Sequence, residues 1–401
     1  MPDAEPRPLP ASWYEDPTSL LPPRELLDSL PTPLLAIHMG RVRANIARVL
    51  ALTNGPERWR PHLKTTKTPE VWAELLAAGL RAFKCATVRE AEVFCDLVER
   101  EGRDGIDLLL AHPLLGPGLG RLAALATRHP SVTISILVED ARAAATLPAP
   151  LTAFVDVDPG MHRTGLSPEH PAEILRVAEA LGARLRGIHF YEGHLHDSDP
   201  DVRRAAVHAA LDRLVELRDR FVASGLEIGE LVTSGTPAFL SALSHRDLRG
   251  LDSTLHRVSP GTVVFHDVIS EHENPELGLA PAALVLARVV SRPAPDRATL
   301  DTGTKSVSSD AGDPCCFVLG HEGFEPLHPS EEHLPLRVPP SSAPERGALL
   351  ALVPRHVCPT VNLHDRALLV DGTQTRETSV AARGHGEKVP RSVLQVHRAR
   401  R

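Results

Sequence analysis

The sequence predicts an α/β protein in which a (β/α)8 barrel is followed by a second, β-rich domain. From residue 34 to about residue 267, short apolar runs bounded by turn residues alternate with segments of helical periodicity, at a spacing of roughly 20 to 40 residues. About eight such units are typical of a closed parallel barrel. After about residue 275 the apolar runs are separated by Gly, Pro and Asp without helical segments, which indicates β structure.

The predicted elements follow one another along the chain. The barrel strands are expected in the apolar runs at 34–38, 59–64, 83–86, 107–111, 132–138, 153–157, 185–190, 230–234 and 262–267. Helices are expected between them, at 41–52, 69–80, 172–181 and 201–222 among others. We therefore predict an N-terminal arm over residues 1–30, a barrel domain over 31–272 and a C-terminal β domain over 273–401.

Composition excludes several classes of function. The 401 residues carry a formal net charge of −7, and no basic stripe is present that would bind nucleic acid or an anionic membrane. The opening residues contain acid and proline where a secretory signal needs a basic start and an apolar run. The odd number of cysteines, five, favours a reducing compartment. We therefore expect a cytoplasmic protein that acts on a small molecule.

Lys64 is the first candidate for chemistry. Functional side chains of a parallel barrel lie in the loops after the C-terminal ends of the strands, and Lys64 ends the apolar run of WRPHLKTTK. Partial burial at the barrel mouth would lower the pKa of its amine and make the neutral form available to condense with an aldehyde. Taken alone, the residue is more simply explained as a solvated lysine at a strand end.

Three further segments follow other predicted strands. One is VDVDPGMHRTG, residues 155–165, which contains Arg163. The other two are Gly/Ser/Thr turns, whose backbone N–H groups and hydroxyls suit a phosphate. Their candidate residues are Ser234, Gly235 and Thr236 in SGTP, and Gly261 and Thr262 in SPGT. A lysine, an arginine and two such turns at successive strand ends together indicate a pocket for a phosphorylated aldehyde, pyridoxal 5′-phosphate.

The order of these motifs resembles that of the D-threonine aldolase and D-serine dehydratase family, over residues 32–382. RPHLKTTK is similar to the family's R-P-H-x-K-T-H-K, although Thr66 stands in place of the histidine, and SPGT is followed by Val263 where the family often has a tyrosine. The resemblance implies an alanine-racemase-like fold (fold type III), a homodimer with active sites near the interface, and Lys64 as the lysine that binds pyridoxal phosphate. It also implies Arg163 and, in GIHFYEGH, His189 and Tyr191 as cofactor contacts.

The resemblance extends to a metal site. His356 and Cys358 alternate in PRHVCPTVNLHD, residues 354–365, and on a short extended run both side chains would lie on one face. By itself an H-x-C pair is weak evidence for a metal. The family carries a divalent metal site at this point, and a thiolate favours Zn²⁺, with Mn²⁺ or Mg²⁺ as alternatives.

The resemblance implies a lyase that acts on β-hydroxy-D-amino acids. We prefer an aldolase that converts D-threonine to glycine and acetaldehyde. The alternative is a zinc-dependent D-serine dehydratase, which yields pyruvate and ammonia. The candidate catalytic residues are Lys64, His62 and Asp310. His62 could instead brace the barrel mouth, and Asp310 could form an ordinary loop pair with Lys305.

Two other classes of function remain as distant alternatives. A non-catalytic pyridoxal-phosphate carrier would lack the C-terminal β domain and the H-x-C segment, so residues 275–401 argue against it. A racemase of the same fold would need a tyrosine that acts as a base from the C-terminal domain. The two tyrosines of the chain, Tyr14 and Tyr191, lie outside that domain.

Overall fold

The structure, a computed structural model, describes residues 9–15, 17–251 and 253–386. The outer parts of the predicted arm and of the predicted C-terminal domain, residues 1–8 and 387–401, lie outside the described residues. No helix within the described ranges is long and apolar enough to cross a membrane.

Sixteen strands and eleven α-helices are formed within these ranges. The strands are β1 (Leu34–His38), β2 (Ala82–Cys85), β3 (Ile106–Leu110), β4 (Val132–Val138), β5 (Thr152–Val157), β6 (Leu185–Phe190), β7 (Glu230–Thr233), β8 (Leu255–Val258), β9 (Ala283–Ala294), β10 (Arg297–Leu300), β11 (Cys316–Val318), β12 (Glu325–Pro326), β13 (Leu334–Arg337), β14 (Leu349–Pro354), β15 (Arg366–Asp371) and β16 (Gln374–Ser379). The helices are α1 (Arg24–Leu27), α2 (Met39–Thr53), α3 (Pro69–Ala77), α4 (Val88–Arg100), α5 (Gly116–Arg128), α6 (Ala141–Ala145), α7 (Pro171–Leu181), α8 (Pro200–Ala223), α9 (Phe239–Ser244), α10 (Val268–Glu273) and α11 (Val357–Leu363).

The barrel is built from seven parallel strands in the order β2 to β8. Residues 59–63 fill the eighth position, because Trp59 forms a parallel bridge with Val258 of β8 and His62 forms one with Lys84 of β2. This segment is not a regular strand, since Pro61 has no N–H to donate to a neighbour. The predicted fold class, a (β/α)8 barrel with a second β-rich domain, is confirmed.

Two predicted barrel strands differ from the structure. The run at 34–38 is a strand, β1, but it belongs to the second sheet, where Leu35 pairs with Val285 of β9 and with Ala367 of β15. The run at 262–267 is not a strand, since Thr262–Val264 forms a 3-10 helix. The last barrel strand is instead β8, which the pattern of apolar runs did not predict. A strand buried on both faces is a continuous apolar run, and such a run does not indicate which sheet it joins.

The second sheet has nine strands, and most of them come from the part of the chain after residue 282. Its main order is β12-β13-β10-β9-β1-β15-β16, and β14 pairs with both β9 and β11. Part of the predicted N-terminal arm docks on this sheet, because Trp13 is buried and its ring lies 5.7 Å from that of Phe317. The boundaries between the predicted domains remain a prediction. The structure shows in addition that β1 pairs with strands of the second sheet.

A buried ion network occupies the interior of the barrel. The guanidinium of Arg60 is fully buried and donates to both carboxylate oxygens of Glu230, at 2.8 and 2.6 Å. It also donates to Asp107 at 2.8 Å, and its charge lies 5.6 Å from the ring of Phe154. Buried charges are tolerated when they are paired in this way.

Candidate active site

A cleft of about 540 Å³ lies at the mouth of the barrel, where the loops after the barrel strands meet α10 and α11. This volume is typical of small-molecule sites. The sequence candidates that line it are His62, Lys64, Tyr191, Gly235, Thr236, Gly261, Thr262, His356 and Cys358. A larger cavity of about 720 Å³ lies between α3 and β16, and none of the candidates lines it. The smaller cleft is therefore the candidate active site.

Lys64 follows the segment that fills the eighth strand position and lines the cleft. It is exposed to solvent, so the expected partial burial of this lysine is wrong for the single chain. The physical reason is that its side chain lies on the open wall of the cleft, while its neighbours Leu63 and Thr65 are buried. The amine is accordingly accessible to a ligand in the cleft.

His62 lies beside Lys64 on the same wall. The backbone N–H of Lys64 donates to Nδ1 of His62 at 3.4 Å. Burial, and then the charges of Lys64 and Lys84, hold the pKa of this imidazole well below its usual value. His62 is therefore neutral near pH 7, and an accepting Nδ1 leaves the proton on Nε2.

Tyr191 connects the cleft with the barrel interior. Its ring lines the cleft, the guanidinium carbon of Arg163 lies 5.0 Å from the ring centroid, and Nζ of Lys84 lies 5.4 Å from it. Arg163 itself does not line the cleft. Both cations are within the distance at which the face of an aromatic ring attracts a positive charge.

Lys84 was not among the site residues predicted from the sequence. It lies in β2 and is 2% exposed. Burial, and then the charge of Lys64, lower the pKa of Lys84 to about 7. A lysine within the apolar run FKCA was the available signal, because a charged residue inside a predicted barrel strand must lie in the interior or at the mouth.

His189 lies deeper than expected. It is 4% exposed, does not line the cleft, and shares a hydrogen bond of 2.7 Å between its Nδ1 and Oδ1 of Asp156. Its ring is nearly parallel to that of Tyr191, with centroids 6.4 Å apart. Burial lowers the pKa of His189 despite the carboxylate beside it. His189 therefore supports Tyr191 from the barrel interior in this chain.

The two predicted phosphate turns lie side by side after β7 and β8. The amides of Gly235 and Thr236 form no hydrogen bond with any described residue, which leaves two donors for an anion. A Cβ on Gly261 would lie 2.5 Å from the carbonyl oxygen of His62, so only glycine permits the second turn to approach the Lys64 segment. Gly261 and Thr262 both line the cleft.

Ser234 differs from the expectation, because it is fully buried and does not line the cleft. Its hydroxyl donates to one carboxylate oxygen of Glu192, and its N–H donates to the other at 3.2 Å. Its φ of 50° lies in the left-handed region that is costly for a residue with a Cβ. Glu192, which the sequence reading missed, thus holds the turn that presents Gly235 and Thr236.

His356 and Cys358 lie together in the cleft, but not on an extended run as expected. His356 is the N-cap of α11, and Cys358 lies in its first turn. The carboxylate of Asp267, also missed from sequence, accepts the N–H of Val357 at 2.9 Å and that of Ser270 in α10 at 2.9 Å. This single carboxylate therefore fixes the His356–Cys358 segment against α10.

The sulfur of Cys358 lies next to the Lys64 segment. Oγ1 of Thr65 is 3.1 Å from Sγ of Cys358, and Oγ1 of Thr262 is 3.6 Å from it. Nζ of Lys67 donates to the carbonyl oxygens of Lys64 and, at 3.3 Å, of Cys358. The predicted cofactor lysine and the predicted metal ligand are thereby held in one chain at one cleft.

Asp310 does not line the cleft but contacts His356, since its Oδ2 lies 2.8 Å from Nδ1 of the imidazole. The alternative pairing with Lys305 is not formed, because Lys305 bonds Glu332 at 2.6 Å. Carboxylates that accept a hydrogen bond from a metal-binding histidine orient its ring and fix its tautomer.

His356 and Cys358 influence each other's ionisation, and a metal bound to them would have to displace the proton of His356. Burial opposes the charge of His356, but hydrogen bonds to Cys358 and Asp310 raise its pKa to about 9. Burial likewise opposes a thiolate, but His356 and the charge of Lys64 lower the pKa of Cys358 to about 7. Within the described ranges, no group of three or more His, Cys, Asp or Glu side chains is arranged to hold a metal. The protein thus offers two ligands, an imidazole and a thiolate.

The two departures from the family pattern are buried. Thr66 accepts a hydrogen bond of 2.7 Å from the indole of Trp72 and does not line the cleft. Val263 is fully buried in the main hydrophobic core. Neither Thr66 nor Val263 therefore supplies a side chain to the cleft in this chain.

The chain is similar to known proteins over most of its length. Residues 37–267 match the family model described as "Alanine racemase, N-terminal domain", and residues 282–370 match "Putative serine dehydratase domain". The chain is 30% identical to D-threonine aldolase of Arthrobacter sp. over 389 residues, 90% of this chain and 95% of that protein. It is 28% identical to 3-hydroxy-D-aspartate aldolase of Paracoccus denitrificans (strain Pd 1222) over 383 residues, 88% of this chain and 92% of that protein.

The fold is also found in a solved relative. The crystal structure of D-threonine aldolase from Filomicrobium marinum superposes with a TM-score of 0.78 at 26% identity, covering 89% of this chain and 97% of that one. The first family model covers more than half of the present sequence, and the Arthrobacter enzyme is related over nearly all of it. The chain therefore belongs to the D-threonine aldolase and D-serine dehydratase family of lyases, which has the alanine-racemase fold.

Proposed function

We propose that this protein is a pyridoxal-phosphate- and metal-dependent lyase that cleaves β-hydroxy-D-amino acids, as an aldolase on D-threonine or a close analogue. The observation that carries the proposal is the distance of 3.1 Å between the hydroxyl of Thr65 and the sulfur of Cys358. Since Thr65 follows Lys64, this contact brings the metal ligand to the residue expected to bind the cofactor.

The residues of the cleft fit pyridoxal phosphate. Lys64 offers an accessible amine, Tyr191 a flat wall, and the amides of Gly235 and Thr236 two donors without an acceptor in the described chain. Pyridoxal phosphate, when bound, supplies an electron sink for the bond that breaks at Cα. Glu192 keeps the donors in place through Ser234, and Nε2–H of His62 can donate to an anionic oxygen.

His356 and Cys358 fit a divalent metal, and the thiolate favours Zn²⁺ over Mn²⁺ or Mg²⁺. A metal bound there supplies a Lewis acid for the β-oxygen of the substrate. Asp310 accepts from Nδ1 of His356 and so directs Nε2 toward the metal. Asp310 is thus a positioning residue in this proposal, and Lys64 and His62 remain the proposed catalytic groups.

Glu273 is a further candidate for proton transfer, because it lines the cleft. Burial, and then the charge of Asp267, raise the pKa of its carboxyl to about 7. A carboxylate with such a pKa is suited to accept a proton at neutral pH. In an aldol cleavage, the proton to be accepted is that of the β-hydroxyl of the substrate.

The alternative is a zinc-dependent D-serine dehydratase. It is favoured by Cys358 and by the match of residues 282–370 to the serine dehydratase model. That reaction needs a base that removes the α-proton, and Lys64 is the amine in the cleft that could do so. Both reactions share the requirement for a β-hydroxy-D-amino acid.

The cofactor can be tested with the purified protein and pyridoxal phosphate. We expect an imine absorbance band that borohydride fixes onto Lys64, located by peptide mass analysis. Lys64→Ala should lose both the band and activity, whereas Lys305→Ala, an exposed lysine paired with Glu332, should retain them. Full activity in Lys64→Ala would refute the proposed mechanism.

The two reactions are separated by their products. D-Threonine and D-serine are supplied separately, and glycine is assayed against 2-oxo acid. We expect glycine from D-threonine as the main product, with turnover abolished by a chelator and restored best by Zn²⁺. Pyruvate from D-serine as the main product would select the dehydratase, and restoration by Mg²⁺ alone would contradict the argument from the thiolate.

We further propose a homodimer with its active sites near the interface, and a cytoplasmic location. All five cysteines are unpaired, which suits a reducing compartment. Light scattering during size-exclusion chromatography should give twice the chain mass of 43.4 kDa. A monomer with full activity would contradict the proposed assembly.

A further inference from the structure

The basic residues of this chain are unequally divided. Of its 44 Lys and Arg residues, 39 are arginine and five are lysine. Three of the five lysines, Lys64, Lys67 and Lys84, lie at the candidate active site. A lysine presents a compact ammonium and can lose its proton, whereas an arginine stays charged and needs a wider space. In a chain that uses arginine almost everywhere, lysine at these positions indicates a need for an amine.

Lys84 differs from the other buried cations near the site. The guanidinium of Arg60 has two carboxylate partners, and the ammonium of Lys67 has two carbonyl partners. Nζ of Lys84 forms neither a hydrogen bond nor an ion pair with any described residue, although the residue is 2% exposed. The centroid of the Tyr191 ring lies 5.4 Å from this nitrogen.

An ammonium without an acceptor is costly to bury. The charges of Lys64, Arg163 and Arg60 increase this cost because they repel the ammonium, while Glu192 attracts it. Glu192 already accepts two hydrogen bonds from Ser234. Nζ of Lys84 therefore has no acceptor among the described residues, yet it keeps a small contact with solvent, since it is not one of the fully enclosed polar atoms without a partner.

We propose that Lys84 is a ligand-binding residue, whose amine donates a hydrogen bond to an anionic oxygen of the molecule bound in the cleft. This inference rests on the proposed function, which supplies two such oxygens: the ring phenolate of pyridoxal phosphate and the carboxylate of the amino acid. Lys84 does not itself line the cleft, but Tyr191 does, and the centroid of its ring lies 5.4 Å from Nζ of Lys84 and 5.0 Å from the guanidinium carbon of Arg163. Lys84 and Arg163 thus place two positive charges beside one aromatic wall of the cleft, which suits an anion.

A structural role and a binding role make opposite predictions for the apo-protein. If Lys84 serves the fold, Lys84→Met should lower the Tm of the apo-protein. If it serves a ligand, the same variant should keep or raise that Tm, because methionine fills a similar volume without a buried charge. Lys67→Met is the matched control: it removes a buried ammonium that has protein partners, and it should lower the Tm.

Binding is measured in two arms with the full-length protein. In the first, pyridoxal phosphate alone is titrated and its imine band followed. In the second, KM for D-threonine is measured at saturating pyridoxal phosphate. For Lys84→Met we expect a roughly tenfold or greater loss in one arm, as for a hydrogen bond to a charged group. A loss in the first arm assigns the phenolate, and a loss in the second alone assigns the carboxylate.

Two results would overturn the inference. If the wild-type protein forms the band and Lys84→Met has unchanged affinity in both arms, Lys84 binds neither oxygen. A lowered apo-protein Tm together with unchanged affinities would assign the residue to the fold. If wild type itself formed no band, the proposed function would fail first, and the role of Lys84 would fail with it.

Discussion

Among single residues, the motif that carries Lys64 also positions the predicted metal ligands. Thr65 contacts the sulfur of Cys358, and Lys67 donates to the carbonyl oxygens of Lys64 and Cys358. The carboxylate of Asp267 holds the N–H of Val357 on the other side. The spacing between the proposed cofactor lysine and the proposed metal ligands is therefore set by these neighbouring side chains.

Asp310→Asn tests such a positioning role. The amide can no longer accept a charge-assisted hydrogen bond from Nδ1 of His356, so we expect the affinity for Zn²⁺ to fall by about 10- to 100-fold. The affinity for Zn²⁺ is measured by competition with a chromophoric chelator. Glu332→Gln, which changes an exposed carboxylate bonded to Lys305, should bind Zn²⁺ as wild type does. Equal affinities in the two variants would remove Asp310 from the metal site.

Sequence patterns identified the residues that belong to compact motifs, such as Lys64 in RPHLKTTK and Cys358 in PRHVCPT. They did not identify Lys84, Glu192 or Asp267. Glu192 and Asp267 act on backbone N–H groups that are 42 and 90 positions away in sequence. Lys84 stands inside an apolar run, where its surroundings depend on the closure of the barrel. Roles of this kind can be recognised only once the fold is known.

At the scale of elements, the barrel depends on the ion network around Arg60. The guanidinium has no exposed surface, and Glu230 binds it through both oxygens while also accepting from Arg257 at 2.6 Å. Because β7 carries Glu230 and the segment in the eighth strand position carries Arg60, the pair fastens the point at which the barrel closes.

Glu230→Gln should destabilise the protein by about 3–5 kcal/mol, because it leaves a buried guanidinium without its main counter-charge. The urea midpoint of unfolding measures the loss. Glu74→Gln breaks an exposed pair with Arg43 and should cost about 0–1 kcal/mol. Similar midpoints for the two variants would show that the network does not stabilise the barrel.

The pattern of apolar runs predicted the alternation of strands and helices, yet it misassigned both ends of the barrel. The three central residues of β1, Leu35, Ala36 and Ile37, are all fully buried, as those of a barrel strand would be. β8 was missed because it has only four residues and carries His256 and Arg257. The periodicity of apolar residues predicts which residues are buried, whereas the tertiary structure determines which strands pair with one another.

For the whole molecule, the candidate site requires both sheets. The barrel supplies Lys64 and the phosphate turns, and the segment after β14 supplies His356 and Cys358. β1 ties the two regions together, because it precedes the barrel in sequence and pairs with β9 and β15.

A chain ended at residue 272 should therefore be insoluble rather than a working barrel. It keeps β1 but loses both neighbours of this apolar strand, which leaves two bare edges prone to aggregation. It also loses the metal ligands. The soluble fraction after expression and the zinc content measure these losses against the full-length protein. A soluble fragment that formed the imine band would show that the barrel folds without the second sheet.

The position of β1 also affects how the protein is made. On the ribosome, this strand leaves the exit tunnel hundreds of codons before β15 is translated, so the nascent polypeptide must carry an apolar, unpaired segment through most of its synthesis. The barrel helices can form during that interval, but the sheet that receives β1 cannot. We therefore expect the nascent chain to depend on chaperones during this interval.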